Sequence, residues 1–203
     1  MKYATVIFDL GKVIFAYSWQ HTYDYFAQLS GLSADEVKER LDLEHDAHCQ
    51  NFERGIVTPQ EYADHVSDLL DTPLTLPQFI EGWNAIYEEA YEGIEAIMAE
   101  LELKYLLVGL SITNIVHAAE WRERYADQLV YLSYIFCSHE LHARKPEQGI
   151  YEHVLRSTGT RPEECIFFDD RADNVEGARS VGIQAFQVTS PDEIRAAMKE
   201  LDM

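Results

Sequence analysis

Five short runs of β-forming apolar residues, at 4–8, 105–110, 134–137, 165–168 and 184–188, constrain this chain most. Between the later runs lie amphipathic stretches of helical length, at 114–125, 146–157 and 174–181, and another follows at 191–201. Parallel strands need a crossover long enough to hold a helix, so strand–helix–strand in repetition predicts a parallel sheet with right-handed connections. The fourth run is apolar throughout and the first nearly so, as strands covered on both faces are. The expected fold class is α/β, a Rossmann-like, doubly wound parallel sheet.

Residues 18–87 break this alternation and read as all-helical. Ser33 with Glu36, and Thr58 with Glu61, are capping boxes, the second followed by Pro59 at the first helical position. Thr75 with Gln78 is a weaker third start. A helical block between strand one and strand two stands over one edge of the sheet as a lid. The expected domains are an α/β core at 1–15 and 90–203 and a helical cap at 16–89.

Charge narrows the partners. The chain carries 36 acidic against 16 basic residues, a formal net charge of -20. Nucleic acid and anionic membranes bind through clustered Lys and Arg, so neither is an expected partner. A phosphorylated substrate is repelled at long range, and an anion site has to be made locally. Cys49, Cys137 and Cys165 are odd in number and widely spaced, which fits reduced core thiols in a cytoplasmic protein. No apolar run approaches the ~20 residues of a membrane span. A monomer or a homodimer is equally compatible with the sequence.

The polar residues that end the apolar runs carry the chemistry. Strand one ends in Asp9-Leu10-Gly11, strand two in Ser111-Ile112-Thr113-Asn114, strand four in Asp169-Asp170, and Arg144-Lys145-Pro146 follows strand three. Open α/β sheets bind ligands past the carboxyl ends of their strands. Three carboxylates delivered to one edge repel one another unless a cation sits between them. Oxygen-only ligands point to Mg²⁺. Asp9 is the candidate nucleophile and a metal ligand, with Asp169, Asp170 and the Gly11 carbonyl as further ligands. Ser111, the Ile112 amide and Lys145 are the candidate phosphate contacts, Ser111 being helped by the amides of the following helix. Pro146 is expected to start a helix. Asp173 and Asn174 are expected to cap the next helix, with Asn174 supporting the acidic pair from behind.

These clusters, in this order, resemble the haloacid dehalogenase-like (HAD) hydrolase superfamily over nearly the whole chain. Phe8–Val13, Glu53-Arg54-Gly55, Arg144–Glu147, 150–155 and 167–177 are similar to the branch of small bacterial phosphatases that includes an α-D-glucose-1-phosphate phosphatase. The resemblance implies an α/β core with a C1-type cap, and Mg²⁺-dependent hydrolysis of a small phosphorylated metabolite through an aspartyl-phosphate on Asp9.

Two departures from that pattern matter. Phosphatases of this kind carry Asp two places after the nucleophile as general acid and base, and here Gly11 stands there. General acid–base help contributes roughly 10²–10⁴-fold, so its loss favours leaving groups that depart without a proton, such as an anomeric sugar oxygen. Relatives carry Asn after the motif Ser, and here Ile112 does. These changes support an alternative, a catalytically weakened protein that binds a phosphorylated ligand or a protein partner. Carbon–halogen hydrolysis is a further alternative, opposed by Asp169 and Asp170. In the cap, Asp46, His48, Glu53, Arg54 and Trp83 are candidates for reading the leaving group, while Gly55 fits a left-handed helix end. His117 is expected on the helix surface. Lys12 is expected either to carry its charge to solvent or to compete with the metal.

Overall fold

The computed structural model describes residues 2–202. Its strands are β1 (Thr5–Phe8), β2 (Phe15–Tyr17), β3 (Tyr87–Ala90), β4 (Leu106–Ser111), β5 (Tyr134–Cys137), β6 (Cys165–Asp169) and β7 (Gln184–Gln187). Five of them form one sheet in the order β5-β4-β1-β6-β7, and every pairing in it is parallel. The complete burial of β1 and β6 follows from their central position. Val6, Phe8, Ile166 and Phe168 face the helices Ile94–Glu102, Ile115–Arg124 and Pro191–Glu200. Ile7, Cys165 and Phe167 face Gln148–Thr158 and Ala172–Ser180 on the other side. The fold is the expected α/β doubly wound sheet.

The helical block has its own apolar core, built on Phe26, Phe52, Tyr62, Phe79 and Trp83. All three capping boxes are formed, including the one at Thr75. Gly55 has φ 66° just past the helix Ala47–Glu53, where a side chain would be strained.

Several local expectations are corrected. β2 and β3 pair antiparallel as a ribbon through which the chain enters and leaves the cap, which no sequence pattern indicated. Strands of three and four residues are too short for a periodicity to register. The helix Ile94–Glu102 was likewise not anticipated. The helix expected to start at Pro146 starts at Gln148, after a cis Lys145–Pro146 bond. The helix Ala172–Ser180 already includes Asp173 and Asn174, so neither is its N-cap residue.

Candidate active site

Register brings the carboxylates together. Phe8 pairs with Phe168 across β1 and β6, and the Asp9 amide donates to the Phe168 carbonyl at 2.8 Å. One step further along both strands, Asp9 and Asp169 are neighbours at the carboxyl edge. Asp170 completes a group in which one carboxylate oxygen from each residue lies within 4.8 Å of the other two.

Lys145 enters this group from the loop after β5. Its Nζ lies 2.6 Å from Asp169 Oδ2 and 3.0 Å from Asp9 Oδ1, and it donates to the Leu110 carbonyl at 2.9 Å. The ammonium is fully buried. Burial opposes its charge, but Asp169 and Asp9 outweigh burial and raise its pKa. Asp169 is held from behind: Asn174 Nδ2 donates to both of its oxygens, at 2.9 and 3.1 Å, and the Arg171 amide to one of them at 2.9 Å. Asn174 is thus in direct contact with Asp169 of the acidic pair. Asp173 is turned outward to Arg171, in a 2.8 Å ion pair.

A divalent cation fits this group on two observations. Three carboxylates converge where Lys145 is, among the described residues, the one buried cation in contact, which leaves net negative charge, and burial pushes Asp9 up to about 7 despite Lys145. Asn174 Oδ1 is buried without a hydrogen-bond partner, an acceptor that water on a hydrated ion would satisfy. All the donors are hard oxygens, the set Mg²⁺ prefers.

Above the edge, core and cap enclose a cavity of about 700 Å³. Asp9, Gly11, Ser111, Ile112, Lys145, Asp170 and Asn174 all line it, whereas Asp169 lies behind Lys145. Of the cap candidates only Glu53 lines it, paired with Arg144 at 2.7 Å. Burial pushes the Glu53 carboxyl up against the lowering pull of Arg144. Arg54 points instead to Glu147 on the core. Trp83 is buried in the cap core, and Asp46 and His48 lie away from the cavity among the described residues. Helical sequence alone does not say which face of a cap helix meets the core. The amides expected to help Ser111 are partly taken, because Asn114 Oδ1 accepts from the Val116 and His117 amides. Lys12 is exposed and lies over the Tyr17 ring at 5.0 Å.

His117 overturns its expected surface position. It is buried, 6% exposed, and stacks on Trp83 with centroids 5.3 Å apart. Its Nε2–H donates to the Trp83 carbonyl at 3.0 Å, and its Nδ1 accepts from Asn114 Nδ2 at 3.2 Å. Burial lowers its pKa from 6.5 to about 4.

Tyr17 was missed because it sits in a stretch with no motif. A Cβ on Gly11 would meet Tyr17 Cε1 at 2.6 Å, so the ring fills the space a side chain at residue 11 would take. Burial, then Asp170 and Asp9, raise the Tyr17 pKa and keep the phenol protonated. Arg144 and Arg171, the two arginines at the cavity wall, were also assigned no part. The position of Arg171 directly after Asp170 was the available signal.

The fold has known counterparts. The chain is 24% identical to a D-ribitol-5-phosphate phosphatase of Bacteroides thetaiotaomicron over 189 residues, 90% of each chain. It is 27% identical to flavin mononucleotide hydrolase 1 of Arabidopsis thaliana over 169 residues, 81% of this chain and 66% of that one. A HAD-family enzyme of Bacteroides thetaiotaomicron, solved with magnesium and inorganic phosphate, superposes with a TM-score of 0.79 at 23% identity, over 91% of this chain and 93% of that one. A predicted HAD-like hydrolase of Porphyromonas gingivalis superposes over the whole of both chains with a TM-score of 0.86 at 21% identity. The family model for haloacid dehalogenase-like hydrolases matches residues 6–188, from β1 to just past β7, and the chain belongs to that family.

Proposed function

We propose that this protein is a Mg²⁺-dependent phosphatase that hydrolyses a small phosphorylated metabolite through an aspartyl-phosphate on Asp9. The observation that carries the reading is the convergence of Asp9, Asp169 and Asp170 around buried Lys145 at the floor of the cavity. The phosphatase relatives support it. The acidic group opposes carbon–halogen hydrolysis, which needs the Asp nucleophile without a metal.

Asp9, Asp170, Asp169 and the Gly11 carbonyl would hold the ion. Bound there, it supplies positive charge to the phosphoryl oxygens and to the crowded carboxylates. Lys145 draws Asp9 toward its ionised form, which a nucleophile requires. An Asp9 carboxylate oxygen then forms a bond to phosphorus as the ester oxygen leaves, and water hydrolyses the acyl phosphate to release phosphate and regenerate the carboxylate. Ser111 and the Ile112 amide lie at the cavity wall where the phosphoryl oxygens would be held.

Leaving-group chemistry follows from Gly11 and Tyr17. Residue 11 offers no acid, and the Tyr17 ring occupies the space of one. A phenol held protonated this firmly is a weak proton donor. Substrates whose leaving oxygen departs as a stable anion are therefore favoured, and a sugar 1-phosphate is the preferred class.

The test is turnover of p-nitrophenyl phosphate with and without Mg²⁺, beside an Asp9→Asn control, followed by glucose 1-phosphate against glucose 6-phosphate. Metal-dependent turnover lost in the control and faster hydrolysis of the 1-phosphate are expected. A preference for the 6-phosphate removes the leaving-group reading alone. Absence of turnover on every substrate, with stabilisation by phosphorylated ligands, replaces the enzyme with a binding protein.

A further inference from the structure

The cap holds a second group of metal-ligating side chains away from the cavity: Asp46, His48 and His65. One ligand atom from each lies within 4.8 Å of the other two. We infer that this group is a binding site for a divalent transition metal of the zinc class, built from two imidazoles and a carboxylate.

Two of the three ligands are already positioned. Asp46 is the N-cap of the helix Ala47–Glu53, its carboxylate accepting from the His48 amide at 2.8 Å and the Cys49 amide at 3.1 Å. It also accepts from Tyr62 Oη at 3.3 Å and from His65 Nε2 at 3.2 Å. His65 stands on the helix Pro59–Leu69, whose start is locked by the Thr58–Glu61 capping box and whose Tyr62 is buried in the cap core. Both side chains are mostly shielded, with 24% of His65 and 12% of Asp46 exposed.

The third ligand supplies the adjustment. His48 is exposed, and its ring stacks on His65 with centroids 4.3 Å apart and planes at 19°. Zinc bonds of about 2.0–2.2 Å in a tetrahedron place ligand atoms about 3.4 Å apart; Asp46 Oδ2 and His65 Nε2 are already 3.2 Å apart, so His48 is the ligand that has to move. Near-parallel ring planes keep the two in-plane lone pairs from meeting on one ion. Turning the exposed His48 ring makes them converge, at little packing cost.

The donor chemistry separates this group from the one at the sheet edge. Imidazole suits zinc, cobalt, nickel and copper, whereas a carboxylate set suits Mg²⁺. Excess Mg²⁺ therefore occupies the edge and leaves the cap group open. An ion here would tie the first turn of Ala47–Glu53 to Pro59–Leu69, and the former helix ends at Glu53 in the cavity wall.

The experiment titrates untagged protein with Co²⁺ in the presence of excess Mg²⁺, following heat and the visible absorption of tetrahedral cobalt. One Co²⁺ per chain with that absorption is expected in the wild type and in Asp9→Asn. Loss of a ligand in His48→Ala or His65→Gln should weaken binding by about 100-fold or more, above the range for losing a mere supporting residue. His48→Ala changes an exposed side chain, so its circular dichroism should match the wild type. Wild-type protein that retains no Co²⁺, or Co²⁺ uptake unchanged in His48→Ala, overturns the site.

Discussion

The sheet edge and the cap contribute different kinds of group to the same cavity. At the edge, Asp9, Asp169 and Asp170 surround one buried ammonium, and each position is dictated by strand register or by a loop of a few residues. The cap supplies Glu53, which meets Arg144 of the core, and an aromatic core from which Trp83 stacks on His117. The edge is thus an electrostatic device whose members are useless singly, and the cap is a wall whose members act by where they dock. Substitutions should separate the two: edge changes act on chemistry, cap changes on stability and on substrate fit.

The largest effect is expected from Lys145→Met. It leaves the carboxylates without their buried partner, and uncompensating a buried charge costs about 3–5 kcal/mol. Removing a positioned positive group also costs roughly 10²–10³-fold in kcat. Denaturant unfolding and turnover of p-nitrophenyl phosphate, measured together, check both; a kcat within a few-fold of wild type would show that the ammonium is only structural.

Trp83→Ala should cost about 3–5 kcal/mol of stability, the usual range for emptying a buried aromatic site. Its effect on turnover should appear in KM more than in kcat, because Trp83 lies in the cap core and not in the cavity lining. A kcat loss as large as that of Lys145→Met would erase the distinction drawn between the two regions.

His117 adds a pH dependence that belongs to the docking of the cap. Its folded pKa of about 4 lies below the ordinary 6.5, so the unfolded chain takes up the proton first as pH falls. Stability is therefore fully present above about 6.5 and declines as pH drops toward about 4, by on the order of 3 kcal/mol in all. A proton on Nδ1 would face the Asn114 amide that now donates to it. His117→Gln should flatten the unfolding free energy across that window; an unchanged slope assigns it to other groups.

Glu53→Gln should give the smallest change, a severalfold rise in KM with the fold intact, since the Arg144 pair lies at the cavity wall with about a fifth of each side chain exposed. Comparing KM for glucose 1-phosphate and p-nitrophenyl phosphate would sharpen the assignment. Only a substrate with a leaving group long enough to reach the cap should notice.

The primary structure by itself determined the sheet and the members of its edge. Apolar runs ending in Asp9 and in Asp169-Asp170 leave little alternative to central parallel strands, and the three capping boxes announce the cap helices. Lys145 and Asn174 were legible because they lie within a few residues of an element end. What only tertiary structure decided is everything that depends on two elements meeting. Tyr17 enters the space beside Gly11 because the β2–β3 ribbon folds back there. His117 is buried because the cap sets Trp83 over it. Asp46, His48 and His65 converge because two cap helices pack side by side. The physical reason is range: strand period, capping and turn chemistry are local and repeat along the chain, whereas docking depends on the summed shape of surfaces that no short window contains.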